Sequence, residues 1–388
     1  MTPAVPIDGE CEARFARVKR AFAANFEAAG EIGAAVAVTL DGRPVVDLWG
    51  GYADQYRARR WERDTLVNVY SATKGITAIC AHRLVDQGKL DLDAPVAKYW
   101  PEFGQAGKRD LPVRFLLSHR AGLPALRATL EPEAIFKWDR MTSALAAETP
   151  WWEPGTQHGY HAFTFGWLVG EVIRRAGGMS VGALLREELA GPLGLDCHIG
   201  LDAKHDSRVA TIIAEPPSPP GQFDISAEIA RHPESLTAKA INNPPTLMLT
   251  ETANSRQWRA AEIPAVNCHT TARALARLYG ALARGGELDG IRVLSPASIE
   301  RCYTEQSSGP DAVLMIPTRW SLGFGLSQPK AALGPNPHAF GHSGAGGSLG
   351  FADPDARVGF GYTMNQRQNS MLVDPRALRL IDALYASL

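Results

Sequence analysis

Val67-Asn68-Val69-Tyr70-Ser71-Ala72-Thr73-Lys74-Gly75 is the stretch on which the reading of this chain turns. The residues after it, Ile76, Ile79, Cys80 and Leu84, recur at helical spacing and stop near Gly88, which predicts a helix opening at Ser71. On such a helix Lys74 falls on the same face as Ser71, with its amine within reach of the hydroxyl. That is the arrangement of an activated nucleophile: a buried lysine with a lowered pKa can take a hydroxyl proton at neutral pH without any histidine. Alone, Ser-x-x-Lys is a weak signal, because an N-cap serine followed by a solvated lysine has the same spelling. A second copy runs from Ser327 to Lys330, but it contains Pro329, which works against a helix.

The 388 residues, 45% of them hydrophobic, can bury a large core and are enough for two lobes. With 40 basic and 41 acidic side chains the formal net charge is -1, so no overall field draws in nucleic acid or a cationic partner. Residues 1–21 hold no continuous apolar segment, and no run approaches the ~18 uncharged apolar residues of a membrane span. A cytoplasmic protein without a membrane partner is the expectation. Cys11, Cys80, Cys197, Cys268 and Cys302 are odd in number and never form Cys-x-x-Cys, which reads as reduced, structural thiols. No His-Glu-x-x-His, phosphate loop or dinucleotide fingerprint is present, so no metal or cofactor is expected.

Going outward from Ser71, Phe15, Val18, Phe22 and Phe26 predict an amphipathic helix over residues 11–29. Residues 33–40 and 44–48 read as strands joined by Asp41-Gly42, a hairpin signal. After the Ser71 helix, 116–123 reads as a short helix ending in a turn, and 165–176 and 270–284 as longer helices. Residues 203–264 carry Pro216, Pro217, Pro219, Pro220, Pro233, Pro244, Pro245 and Pro264, a segment expected to resist regular structure and to serve as a lid or binding wall. Strands follow at 320–326, 339–342, 348–353 and 358–364, and Asp374-Pro375 starts a closing helix. The expected fold class is α+β: an antiparallel sheet from both termini, residues 1–70 and 286–388, with a mainly helical domain inserted over 71–285. The boundary between the two is the expected cleft.

Two more segments bear on the chemistry. Pro154-Gly155-Thr156-Gln157-His158-Gly159-Tyr160-His161-Ala162 puts a tyrosine in a loop before a helix, and Gly341-His342-Ser343-Gly344-Ala345-Gly346-Gly347 ends a strand. In this order, with Ser71-x-x-Lys74, the chain resembles the serine β-lactamase and penicillin-binding superfamily, whose elements are Ser-x-x-Lys, Tyr-x-Asn or Ser-x-Asn, and Lys-Thr-Gly. Within it the chain is most similar to the class C β-lactamase-like esterases, the family VIII carboxylesterases. The runs at 70–75, 116–123 and 159–167 carry that likeness.

The resemblance implies a β-lactamase/transpeptidase-like fold and an acyl-enzyme on Ser71, with Lys74 and Tyr160 sharing the general acid/base work. It also implies an oxyanion hole from the backbone N–H groups of Ser71 and Ala345, and a substrate-binding edge at His342, Ser343 and Gly344. Lys74 as a cation beside Tyr160 would lower the phenol pKa, so that either a phenolate or a neutral lysine takes the Ser71 proton. Two departures bear on the substrate. His342-Ser343-Gly344 replaces Lys-Thr-Gly and removes a permanent cation, and Tyr160-His161-Ala162 lacks the amide of Tyr-x-Asn. Both weaken recognition of penicillins and peptides, and neither touches ester cleavage, so short-chain neutral esters are the expected substrates. His342 could also be a solvent-facing strand end.

The alternatives are an acyltransferase passing the acyl group to an alcohol or amine, a β-lactamase or peptidase, and a non-catalytic acylated sensor. Gly346-Gly347-Ser348-Leu349-Gly350 spells the elbow of an α/β-hydrolase, but that fold needs a helix after the serine and a later histidine, and no histidine follows His342. Trp151, Trp152, Trp258, Trp320 and Leu247-Met248-Leu249 are candidate walls of an apolar pocket.

Overall fold

Side-chain alternation along the strand Val358–Met364 sets the layers of the molecule. Val358, Phe360, Tyr362 and Met364 face one side and pack with Phe15, Val18, Phe22, Leu380, Ile381 and Leu384. Gly359 and Gly361 face the other, where a Cβ on either would collide with the backbone of the helix Ala272–Ala283. Glycine is used there so that a helix can lie flat on the sheet.

The computed structural model describes residues 5–218, 224–247, 249–329 and 331–388. Pro219, Pro220, Met248 and Lys330, which enter the sequence reading, lie outside the described residues. The main sheet comprises β1 (Ile7–Cys11), β2 (Gly33–Leu40), β3 (Arg43–Gly51), β4 (Ser307–Pro310), β5 (Pro317–Trp320), β6 (Gly325–Leu326), β7 (Phe340–Ser343), β8 (Leu349–Asp353) and β9 (Val358–Met364). Its nine strands run antiparallel in the order β1-β3-β2-β9-β8-β7-β6-β5-β4. Pairing of β2 with β9, from Ala34 opposite Met364 to Leu40 opposite Val358, joins the two ends of the chain. The helices α1 (Ala16–Ala28) and α5 (Pro375–Tyr385) cover one face. The other carries α4 (Ala272–Ala283), which falls within residues 71–285 yet packs on β2, β8 and β9.

Helix α2 (Ala72–Asp86) lies between this sheet and α3 (Thr164–Gly177). Nearly every residue of α2 is buried, so its apolar stripe is only part of a helix enclosed on all sides. Its polar groups are met individually: Thr77 donates to the Pro264 carbonyl at 2.6 Å, and the Cys268 amide donates to Thr73 Oγ1 at 3.0 Å. The 264–268 backbone thereby runs alongside the first turns of α2.

Three expectations need correction. The opening helix, expected from residue 11, begins as a 3-10 turn at Ala13–Phe15 and becomes α-helical at Ala16, since residues 7–11 form the edge strand β1 on β3. Residues 320–326 are two strands, β5 and β6, folded over a turn in which the Ser321 amide donates to the Phe324 carbonyl at 2.9 Å. The proline-rich stretch holds short helices at Ile225–Arg231, Leu236–Asn242, Thr250–Asn254 and Arg256–Ala260. Asp224, Ser235 and Ser255 cap three of them with side-chain oxygens, and the described prolines fall between helices, where they end one without breaking another.

Candidate active site

Ser71 is the N-cap of α2. Tyr70, just before it, adopts φ 44, a left-handed conformation that a tyrosine holds only under surrounding constraint. The constraint is a tight first turn, in which the amides of Ala72, Thr73 and Lys74 donate to the carbonyls of Val69, Tyr70 and Ser71 at 3.2, 2.9 and 2.9 Å.

Lys74 is fully buried, and its Nζ lies 3.2 Å from Ser71 Oγ. The amine donates to the carbonyls of Ala162 at 2.7 Å and Ala265 at 3.1 Å, and among the described residues no carboxylate pairs with it. Burial alone therefore pushes its pKa well below the ordinary lysine value. Of the two bases the motifs allow, a phenolate or a neutral lysine, the phenolate is disfavoured, since Tyr160 is pushed above the ordinary phenol range, mainly by burial. The Ser71 hydroxyl opposes that rise without meeting the geometry of a formed hydrogen bond, and the Asp311 charge adds to it.

Tyr160 reaches the site on a loop pinned to residues 118–123. The Gly159 and His161 amides donate to the His119 carbonyl and to His119 Nδ1, both at 3.1 Å. His161 Nδ1 donates to the Gly159 carbonyl at 2.7 Å, leaving Nε2 to accept the Leu123 amide at 3.1 Å. The residue standing in the middle of Tyr-x-Asn is thus a buried clamp, its pKa lowered to about 3 by that burial. Ala162 contributes its carbonyl to Lys74. The Tyr160 ring lies 4.8 Å from Lys74 Nζ on one side and stacks on Trp320 at 5.2 Å. His119, within the 116–123 run but with no motif of its own, adopts φ 60 and packs its ring against Tyr160 and Trp320.

The third segment arrives as the end of β7. A Cβ on Gly344 would collide with the Val69 carbonyl oxygen, so only glycine lets this edge close on the Ser71 turn. Behind it, Arg376 donates to the Gly346 carbonyl at 2.7 Å and is itself held by Glu31 and Asp374. Among the described residues the backbone N–H groups of Ser71 and Ala345 have no protein acceptor. His342 does not face solvent, since it is buried, with Nδ1 donating to the Ser343 carbonyl at 2.8 Å. Burial, with Lys74 nearby, lowers its pKa to about 3, so it is neutral.

These segments border one cavity of about 130 Å³. Ser71, Tyr160, His342, Ser343, Gly344 and Ala345 all line it, and Phe163, Ile225, Ile241, Val266, Leu314, Met371 and Leu372 make its remaining wall mostly apolar. Lys74 lies behind this surface. Of the candidate wall residues Trp320 lines the cavity, whereas Trp151, Trp152, Trp258 and Leu247 do not, and Leu249 is exposed. Ser348 is followed directly by β8, with no elbow helix. Ile225 and Ile241 come from the short helices of the proline-rich segment, which does supply a wall. No metal-binding cluster and no helix long and apolar enough to cross a membrane occurs among the described residues.

Comparison with known proteins agrees with the resemblance read from the motifs. The sequence matches the Beta-lactamase family over residues 18–384. It is 39% identical to the esterase/beta-lactamase LipL of Mycobacterium tuberculosis (strain ATCC 25618 / H37Rv), over 95% of this chain and 85% of that protein. The crystal structure of a family VIII carboxylesterase superposes with a TM-score of 0.91 at 44% identity, covering 99% of this chain and 100% of the other. A penicillin-binding protein homologue from Caulobacter crescentus gives 0.90 at 42%, with the same coverage. With the fold, the three motifs and these matches in agreement, the chain belongs to the β-lactamase family of hydrolases.

Proposed function

We propose that the chain is a serine esterase that cleaves small neutral carboxylic esters through an acyl-Ser71 intermediate. The observation that carries this reading is the hydrogen bonding of Lys74. A neutral amine has two N–H donors and one lone pair. The carbonyls of Ala162 and Ala265 take the donors, and the lone pair is left for the Ser71 hydroxyl, 3.2 Å away. With burial disfavouring both the charged amine and the ionised phenol, Lys74 is the base for Ser71 and Tyr160 the acid for the leaving alkoxide. Tyr160 recovers its proton from Lys74. In the second half of the cycle the pair takes a proton from the attacking water and returns it to Ser71 Oγ as the acyl group leaves.

The free amides of Ser71 and Ala345 are suited to a tetrahedral oxyanion because they need no reorganisation to donate to it. His342, Ser343 and Gly344 form the polar edge against which the ester lies. With His342 neutral, no cation from this edge meets a substrate carboxylate, which favours uncharged esters over penicillins and leaves β-lactam turnover weak. The cavity, at about 130 Å³, is slightly smaller than the ~150 Å³ that holds benzene in a protein core, which fits a short acyl chain.

Turnover of a p-nitrophenyl ester series beside nitrocefin, in the wild type and in Ser71→Ala, tests the reading. Ester hydrolysis that declines beyond a few acyl carbons and disappears in the variant is expected. Nitrocefin turned over faster than every ester would reverse the choice of substrate class.

A further inference from the structure

Asp311 follows β4, outside all three motifs, and its carboxylate is fully buried. Oδ1 accepts three backbone amides, those of Tyr160 at 3.0 Å and of Val313 and Leu314 at 2.9 Å each. Oδ2 accepts the Thr318 hydroxyl at 3.1 Å. That hydroxyl in turn accepts the Trp320 indole N–H at 2.8 Å and faces His158 Nε2 at 2.9 Å. Among the described residues no lysine or arginine pairs with Asp311, and its nearest charged-capable partner is His158 Nε2 at 3.9 Å. A buried carboxylate satisfied by four hydrogen bonds and no cation is an uncommon investment for an ordinary loop.

Both oxygens act on the same neighbour. One holds the backbone of Tyr160 directly. The other, through Thr318, holds the indole of Trp320, which stacks on the Tyr160 ring at 5.2 Å with 14° between the planes. The Ala312 amide also donates to the His158 carbonyl at 3.1 Å, so the two loops are joined on either side of the carboxylate.

We infer that Asp311 is the positioning residue for Tyr160, fixing both its backbone and its ring for proton transfer to the leaving group. This rests on the esterase reading above. Misplacing the phenol matters when the departing oxygen must be protonated and matters little when it leaves readily as an anion.

The test compares kcat/KM, which reports acylation, for an ethyl ester and a p-nitrophenyl ester of the same short acid, in wild type, Asp311→Ala, Asp311→Asn and Thr318→Val. Asp311→Ala breaks both arms. Asp311→Asn keeps an oxygen for the three amides but offers N–H where Thr318 needs an acceptor, and Thr318→Val cuts only the second arm. The expected result is a loss of about 100-fold for the ethyl ester in Asp311→Ala, against less than about fivefold for the p-nitrophenyl ester, with smaller losses of the same selectivity in the other two variants. Equal losses on both esters, or none on either, in the variants that fold would overturn the inference. If Asp311→Ala does not fold, the other two variants carry the same comparison. Lack of Ser71-dependent turnover of either ester by the wild type would instead remove the esterase reading itself.

Discussion

Gly344 passes so close to Val69 that a side chain of any size at position 344 would strike the Val69 carbonyl oxygen. Val69 belongs to the strained turn that presents Ser71, and Ala345 follows Gly344, so this single contact sets the spacing between the two amides assigned to the oxyanion. Gly344→Ala must push β7 and the turn apart. The expected outcome is a fall in kcat of about 100-fold or more, the scale of losing one oxyanion donor. Overpacking at this site is expected to cost about 1–3 kcal/mol, read by denaturant unfolding. A variant with full activity would show that the amides work without this spacing.

Among the described residues Lys74 sits without a counter-charge in a cage of carbonyls and aromatic rings, a placement unfavourable to its charged form. Because its folded pKa is depressed, the unfolded chain binds a proton that the folded chain does not, between the folded value and the ordinary one near ~10.4. In that window stability rises with pH, by up to about 1.4 kcal/mol per unit for this one group. Lys74→Met keeps the length and removes the titration. It is expected to unfold at the same Tm or higher near neutral pH, with a flatter dependence of stability on pH, while kcat/KM falls by about 1000-fold. A large drop in Tm would mean that the amine holds the site together.

The pH–rate profile should carry one acid limb. The base is active when deprotonated, so kcat/KM rises with pH as Lys74 loses its proton and stays level until Tyr160 ionises, above the ordinary phenol range. The histidines around Lys74 do not add a limb near their usual range, since burial takes His161 and His342 to about 3 and His119 well below its ordinary value. His342→Gln is accordingly expected to leave the limb within about half a pH unit of its wild-type position, a shift that kcat/KM titration resolves. A limb that disappears with His342 would transfer the base role to the imidazole.

Ser71, Lys74 and Tyr160 were legible as a group because each lies in a short local pattern whose order along the chain is itself informative. The paired ends of the sheet were legible from strand periodicity and the Asp41-Gly42 turn, and β2 and β9 meet as expected. What escaped has no local pattern. Strand β1 is an edge strand with mostly exposed residues and a glycine at its centre, so it lacks the alternation of a half-buried strand. Three of the short helices of 225–260 have side-chain caps, and the first two supply Ile225 and Ile241 to the cavity wall, none of which proline counting registers. Asp311 and His119 act through tertiary contacts across long sequence separations. The protonation states of Lys74 and Tyr160 depend on burial, which only three-dimensional packing determines.

Ile241 gives the last prediction. It is buried on the helix Leu236–Asn242, and its side chain forms part of the cavity wall. That helix is anchored to the loop carrying Leu314 by Thr237, whose hydroxyl donates to the Val313 carbonyl at 2.7 Å, so truncating Ile241 should enlarge the cavity without releasing the wall. Ile241→Ala is expected to move the preferred acyl chain of p-nitrophenyl esters to greater length, with kcat on the shortest ester unchanged within about threefold. The loss of buried methyl groups is expected to destabilise the fold by about 2–5 kcal/mol, less if the long acyl chain is bound. An unchanged chain-length profile would place the acyl group elsewhere in the cavity, against Met371 and Leu372, and would assign the Ile241 wall to the alcohol portion of the ester.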